Sequence, residues 1–458
     1  MVCLCLSGCG GGPSNPGSDL EALVSKTSRT GLKVLLVGID GATFDLIGPM
    51  AAQGRLPTMR RLLENGTRGA LQSQTPMKSP ALWTTIVTGM PRQVHAIQDF
   101  KVGEKLVTST DRDCLALWDI TSPFGIRNGW CGFWATYPAE PLNGWMLSDR
   151  IARSRFSEWN DGAKTTHSAY PPGLIEDVHE LVVDPLDPPM EEIRSLVRLT
   201  PEEEDELLQF DKPQHGHGLS VLKFAYCTQR SYEQMALRML ESGEQPDLMG
   251  VFLVASDAIS HTFWHYHRPD EFPNVDRRDA QRLGKIVPGI YQHNDRFLGE
   301  LLQRVDPETV VILVSDHGFQ SSGRTPQPRP VKSWAVRARE AAAIDQVAVG
   351  QPGMHHIDGA FLAAGGPFKR QAVINLGIED ITPTILALLG LPVPRDMTGR
   401  VPEEALDPDF LAKHPIRYVD SYEDLIDRQP VETSDTDGEA RLRAQLEALG
   451  YIDEGASR

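Results

Sequence analysis

Three separated apolar runs in this chain each close on an aspartate: VLLVGID at Asp40, GVFLVASD at Asp257 and VVILVSD at Asp316. Continuous runs rich in Val, Leu and Ile suit strands buried on both faces, and such strands belong to parallel sheets covered by helices. Helical patterns fall between them, at about 55–65, with Pro57 near the first turn and Gly66 just past the end, and at about 225–242, 290–304 and 379–389. A fourth apolar strand, GAFLAAG, is expected over 359–365. The fold class that follows is α/β, a mostly parallel central sheet flanked by helices on both faces. In such a sheet the carboxyl ends of the strands share one edge, where these folds place ligands, so the three carboxylates are expected to converge. Without counter-charge they would repel one another and be driven toward protonation, and a shared cation is the simplest compensation.

The composition narrows the partners. Of 458 residues, 62 are Asp or Glu and 45 Lys or Arg, a net charge of -17 that opposes the counterion-release attraction used by nucleic-acid binders. No nucleic-acid partner is expected. Beyond the N-terminus no stretch approaches the roughly 20 apolar residues of a membrane helix. Cys114, Cys131 and Cys227 have no CxxC spacing and read as small buried apolar residues. The opening LSGC, ending at Cys9, resembles a bacterial lipobox followed by a Gly/Ser/Pro spacer, although only eight residues precede Cys9 and none is Lys or Arg. It implies a lipid anchor at Cys9 and a place in the bacterial cell envelope. The chain divides into residues 1–31, a signal or lipobox remnant and flexible spacer; a main α/β domain, 32–400, with irregular cap insertions at about 150–220 and 318–358; and an acidic extension, 401–458. The closing EARLRAQLEALGYID reads as a short amphipathic helix packed on the outside.

Histidines stand where a metal centre would use them. His317 follows Asp316 directly, His261 lies four residues after Asp257, one helical turn on, and His355 stands in GMHHIDG just before the last apolar strand. Ser79, in KSPALW, precedes Pro80 at a loop-to-helix junction, where backbone N–H groups favour an anionic phosphoryl group. A serine hydroxyl is a poor nucleophile unless a metal or base stabilises its alkoxide. Other residues take ordinary structural roles: His265, about 6 Å farther along its helix, and His95 are packed. His267 is expected at the surface, Asp45 in solvent, and the run PEEEDE on a solvated acidic face.

The segments VLLVGIDGATFDLI, SPALWTTIVTGMPRQVHAI, DLMGVFLVASDAISHTFWHY, VSDHGF, GMHHIDGAFLAAGGP and ITPTILALLGLPVPRDMTGRV together resemble the alkaline phosphatase superfamily, and within it the type I phosphodiesterase/nucleotide pyrophosphatase family. The resemblance runs from about 33 to 400. It implies an alkaline phosphatase-like fold and a hydrolase of small-molecule phosphoesters, phosphodiesters foremost, working through a phosphoseryl intermediate at two divalent metal ions, with zinc the expected metal. Residue by residue it implies Ser79 as nucleophile. Asp40, Asp316, His317 and the Ser79 oxygen would hold one ion, and Asp257, His261 and His355 the other. His355 is preferred to His356 because it stands four residues before Gly359. Phe100 occupies the place of an Asn found in nucleotide-cleaving members, which argues against nucleotide pyrophosphatase activity in particular, and no sulfatase-type Cys/Ser-x-Pro-x-Arg sequence is present. A phosphonate hydrolase or phosphomutase of the same superfamily, and an inactive surface binding protein, are the competing readings.

Overall fold

The computed structural model describes residues 16–153, 165–214, 217–243, 245–322, 352–429, 431, 443–444, 446–448 and 451–452. Cys9 with its LSGC motif, and most of the cap expected at 318–358, lie outside them. The run ending at Asp40 forms strand β1, Val34–Ile39, buried throughout. Leu35, Val37 and Ile39 join one hydrophobic core, Val34 and Leu36 a second on the opposite face, which is why the run is continuous rather than alternating. Gly38 leaves room for the Trp83 ring, to which a Cβ would come within 2.7 Å.

Eight further strands complete the sheet: β2 Gly66–Gln72, β3 Asn128–Cys131, β4 Gly144–Leu147, β5 Ala169–Tyr170, β6 Leu248–Leu253, β7 Val310–Val314, β8 Asp358–Ala364 and β9 Leu376–Gly377. Their order across it is β9-β2-β8-β7-β1-β6-β3-β4-β5. β1 lies at the centre, parallel to β6 and β7, with Leu36 opposite Gly250 and Ile312. β3 and β4 continue the parallel set, whereas β5 and β8 run against their neighbours. The direction of β8 matters for the site. An antiparallel strand begins where its parallel neighbours end, so the residues that lead into β8, His355 among them, are delivered to the carboxyl rim.

Helices Pro57–Asn65, Gly218–Glu241, Ile286–Leu302 and Ile381–Leu389 fill the expected places. Gly66, expected only to stop the first of them, opens β2 directly. The segment expected to be irregular at 150–220 carries the short helices Leu174–Val178, Met190–Leu196 and Pro201–Gln209. The run PEEEDE starts the last of these: the Thr200 hydroxyl accepts from the Glu203 N–H at 3.3 Å and the Glu203 carboxylate from the Thr200 N–H at 2.8 Å, a reciprocal cap with acidic groups on the positive helix end. Past 401 the chain stays attached to the second core. Tyr422 is buried, and Arg428 Nε donates to Glu140 Oε1 at 2.7 Å, joining a buried network in which Arg112 also binds Glu140, at 3.0 Å, and Asp119, at 2.9 Å. Among the described residues no helix is long and apolar enough to cross a membrane.

His95 is packed as expected. Its Nδ1 accepts from the Ile97 N–H at 3.2 Å, which leaves the proton on Nε2, 3.0 Å from a Thr85 hydroxyl that itself donates to the Ala81 carbonyl. Burial lowers its pKa from the ordinary 6.5 to about 4. Between those values the unfolded chain binds the proton and the folded one does not, so stability rises with pH through that window and is lost below it. The thermal midpoint is therefore expected to fall as pH drops from about 6.5 to about 4. His95→Gln should flatten part of that slope in a pH series of melting curves, and an unchanged slope would remove His95 as a contributor.

Candidate metal centre and active site

Asp40 directly follows β1 and Asp316 lies two residues past the end of β7. Ser315 ties these strand ends together, its hydroxyl accepting from the Ala42 N–H and donating to the His317 carbonyl, each at 2.7 Å. Between them Gly41 has φ +69°, and a Cβ there would stand 2.7 Å from the Phe319 ring and 3.3 Å from Asp257 Cα. Only a glycine lets the loop pass that closely. Asp257 departs from the expected strand end: β6 stops at Leu253, and Asp257 sits in the first turn of helix Ala255–His267, with His261 one turn on along the same face.

The side chains meet at the rim. His261 Nε2 and His355 Nε2 each lie 3.3 Å from Asp257 Oδ1, and His317 Nε2 lies 3.7 Å from it. His317 Nε2 is also 3.5 Å from Asp40 Oδ1 and 3.6 Å from Asp316 Oδ2. Two groups result, Asp257 with His317 and His355, and Asp40 with Asp316 and His317, each with its donor atoms within 4.8 Å of one another. A tetrahedral ion bonded at about 2.0–2.1 Å separates its ligand atoms by about 3.3–3.4 Å, close to these spacings. His261 Nδ1 lies 3.0 Å from the Gly353 carbonyl and His317 Nδ1 3.1 Å from the Gly318 carbonyl. A carbonyl can only accept, so both Nδ1 atoms carry a proton, and both Nε2 atoms are turned toward the cluster.

The electrostatics fit a cation. Asp40 Oδ1, Asp257 Oδ1, both carboxylate oxygens of Asp316 and His317 Nε2 are buried without a hydrogen-bond partner among the described residues. Burial, then the neighbouring Asp316 and Asp257, pushes Asp40 well above the usual carboxylate range, and burial likewise raises Asp316. Asp257 goes the other way: burial opposes its charge, but the imidazoles of His261 and His355 hold it well below that range. Burial, then His355, keeps His317 neutral. Carboxylates and neutral imidazoles around one point are a donor set suited to zinc and related divalent ions.

The remaining histidines separate cleanly. His356, the alternative to His355, turns away and accepts from the Asp358 N–H at 3.1 Å. His265 is buried with its ring 3.8 Å from that of Tyr266, and Asp45 stands in the first turn of helix Phe44–Ala52, outside both groups. His267, expected at the surface, is half-buried: its ring packs 5.8 Å from Trp264, and burial lowers its pKa to about 4.

Ser79 is the first residue of helix Ser79–Thr88 and is buried. It lines one open cleft of about 560 Å³ together with Asp40 and Asp257, and the other walls are largely apolar, with Trp134, Val221 and Phe224 among them. The C-terminal segment also corrects an expectation, since Leu446, Ala448 and Tyr451 line this cleft instead of packing on the outside. The Tyr451 hydroxyl donates to Asp257 Oδ2, and its ring stacks on Phe100 at 4.7 Å. Neither Trp134 nor Tyr451 carries a local signal; both reach the site through tertiary packing alone.

A buried carboxylate without a partner destabilises the metal-free protein, while a cation that binds only the folded state adds RT ln(1 + [L]/Kd), about 4 kcal/mol at a thousandfold excess over Kd. Divalent metal is therefore expected to raise the melting temperature of chelator-treated protein. Asp316→Asn should melt higher than the parent without metal and respond less to its addition. Equal responses in the two proteins would count against Asp316 as a ligand.

Comparison with known proteins agrees with this architecture. The family model for type I phosphodiesterase/nucleotide pyrophosphatase matches residues 34–374. No curated protein matches the sequence. Wild-type alkaline phosphatase PafA superposes with a TM-score of 0.51 at 13% identity, over 83% of this chain and 99% of that one. A variant of the same enzyme gives 0.50 at 14%, over 82% and 99%. Murine ectonucleotide pyrophosphatase/phosphodiesterase 5 gives 0.44 at 14%, over 82% and 100%. At such identities the superpositions on PafA speak to the fold, and the family rests on the sequence match spanning β1 to the residues past β8: the chain belongs to the type I phosphodiesterase/nucleotide pyrophosphatase family of phosphoester hydrolases.

Proposed function

We propose that this protein hydrolyses phosphodiesters through a phosphoseryl intermediate on Ser79, at a centre for two divalent metal ions. The observation that carries the reading is that Ser79 opens on the same cleft as Asp40 and Asp257, beside two groups of buried, unneutralised ligand atoms. Asp40, Asp316 and His317 would hold one ion together with the Ser79 oxygen, and Asp257, His261 and His355 the other, zinc being the metal the donor set favours. When bound, such ions lower the pKa of a hydroxyl and neutralise charge on phosphoryl oxygens.

The chain's own groups set the geometry. Ser79 Oγ, having released its proton, forms a bond to phosphorus as the ester P–O bond breaks, and the departing alkoxide takes up a proton as the alcohol. Water then attacks the phosphoserine, freeing the phosphomonoester and restoring the serine hydroxyl. The positive end of helix Ser79–Thr88 favours the anionic phosphoryl group throughout. Trp134, Val221 and Phe224 exclude bulk water from one side of the cleft, which strengthens electrostatic interactions within it. A location in the cell envelope through a lipid on Cys9 is part of this proposal and rests on LSGC and the spacer that follows.

Ser79→Ala is expected to abolish turnover of an activated aryl phosphodiester, by about a thousandfold or more, while zinc content by elemental analysis stays at the wild-type level. Retained turnover would remove Ser79 from its role. A parallel panel of diesters, monoesters and phosphonates should show diesters with the highest kcat/KM, and a phosphonate or monoester leading the panel would overturn the substrate class. In bacteria fed a labelled fatty acid, the full-length chain should take up label and Cys9→Ala should not; equal labelling would exclude the anchor.

A further inference from the structure

Tyr451 lies outside the matched family region, 34–374, yet it reaches the centre of the site. Its hydroxyl donates to Asp257 Oδ2, while Asp257 Oδ1 has no hydrogen-bond partner among the described residues and faces His261, His355 and His317. The two oxygens of one carboxylate are therefore divided, one toward the phenol and one toward the histidine cluster. The phenol is fixed from several sides. Its ring stacks on Phe100 with an interplanar angle of 23° and meets the His261 ring edge-on at 5.5 Å. The Tyr451 N–H donates back to the Leu446 carbonyl at 2.9 Å. Leu446 and Ala448 are buried along the same cleft, and Arg443 donates to the Glu104 carbonyl.

We propose that Tyr451 is a positioning residue for the metal ligand Asp257, so that the C-terminal segment completes the active site. A hydrogen bond to one oxygen fixes the rotation of a carboxylate and presents the other as a single ligand atom, and loss of such a partner weakens metal binding by about 10- to 100-fold. The ring does separate work, since with Leu446 it forms part of the apolar wall against which the ester's leaving group lies. This second role rests on the phosphodiesterase reading; the first rests on the ligand cluster alone.

The test uses the full chain as wild type, Tyr451→Phe and Tyr451→Ala, with zinc affinity read by competition against a chelating dye and folding checked by melting curves. Tyr451→Phe keeps the ring and loses only the hydroxyl, so it should lose about tenfold or more in zinc affinity. Tyr451→Ala should match that loss and also raise KM for the aryl diester. If the alanine variant fails to fold, the phenylalanine variant decides. Tyr451→Phe with wild-type zinc affinity overturns the proposal, as does a wild-type protein that takes up no zinc. A wild type that binds zinc but cleaves no diester sinks the phosphodiesterase reading, and the dye competition still decides the positioning role.

Discussion

Excess negative charge without solvent at the carboxyl rim is the constraint on which this architecture turns. Asp40, Asp257 and Asp316 are nearly or fully buried, and four of their oxygens have no hydrogen-bond partner among the described residues. Leaving such groups unpaired in a protein interior costs several kcal/mol per ion, and the fold does not relieve this by moving them apart. It holds them in place through the Ser315 hydroxyl, the tight passage at Gly41 and the His261 and His317 rings locked by backbone carbonyls. Carboxylates and imidazoles held in place around unneutralised charge make this rim a candidate cation site.

The sheet supports that rim. β1, β6 and β7 form the parallel centre, buried between two cores, and their ends define one line along which loop residues emerge. β8 enters from the opposite direction and so contributes the residues that precede it, where its parallel neighbours contribute those that follow. His355 reaches the rim by this reversal, and its ring stacks on that of His317 at 3.6 Å. Ser79 arrives from a third direction, at the start of a helix buried along its whole length.

Beside this polar rim the cleft is apolar, and part of that wall comes from residues more than three hundred and sixty positions after Ser79 in the chain. The acidic extension is held to the body by Tyr422 and by the Arg428 contacts with Glu140 before it returns to the site at Leu446 and Tyr451. Phe100 links the two regions by offering a face on which Tyr451 stacks. The chemistry of the rim and the shape of the cleft thus come from different parts of the chain.

How much of this was legible in the sequence follows from the range over which each signal acts. Apolar runs ending in aspartate are local patterns; burial on both faces dictates their composition, so the central strands, the fold class and the meeting of Asp40, Asp316 and His317 could be read directly. The preference for His355 over His356 came from family spacing, and the antiparallel pairing of Gly353–His356 with Gly318–Ser321, which sets His355 opposite Phe319, gives it a physical reason, because alternate side chains along a strand point to opposite faces. The helical setting of Asp257 shifted a boundary by a few residues without moving the carboxylate from the rim. The packing of His267 against Trp264, the helices of the 165–209 segment and above all the seat of Tyr451 were decided only by tertiary packing. An amphipathic helix announces that one of its faces will be covered, but which surface covers it depends on contacts between residues hundreds of positions apart, and no periodicity in the chain encodes them.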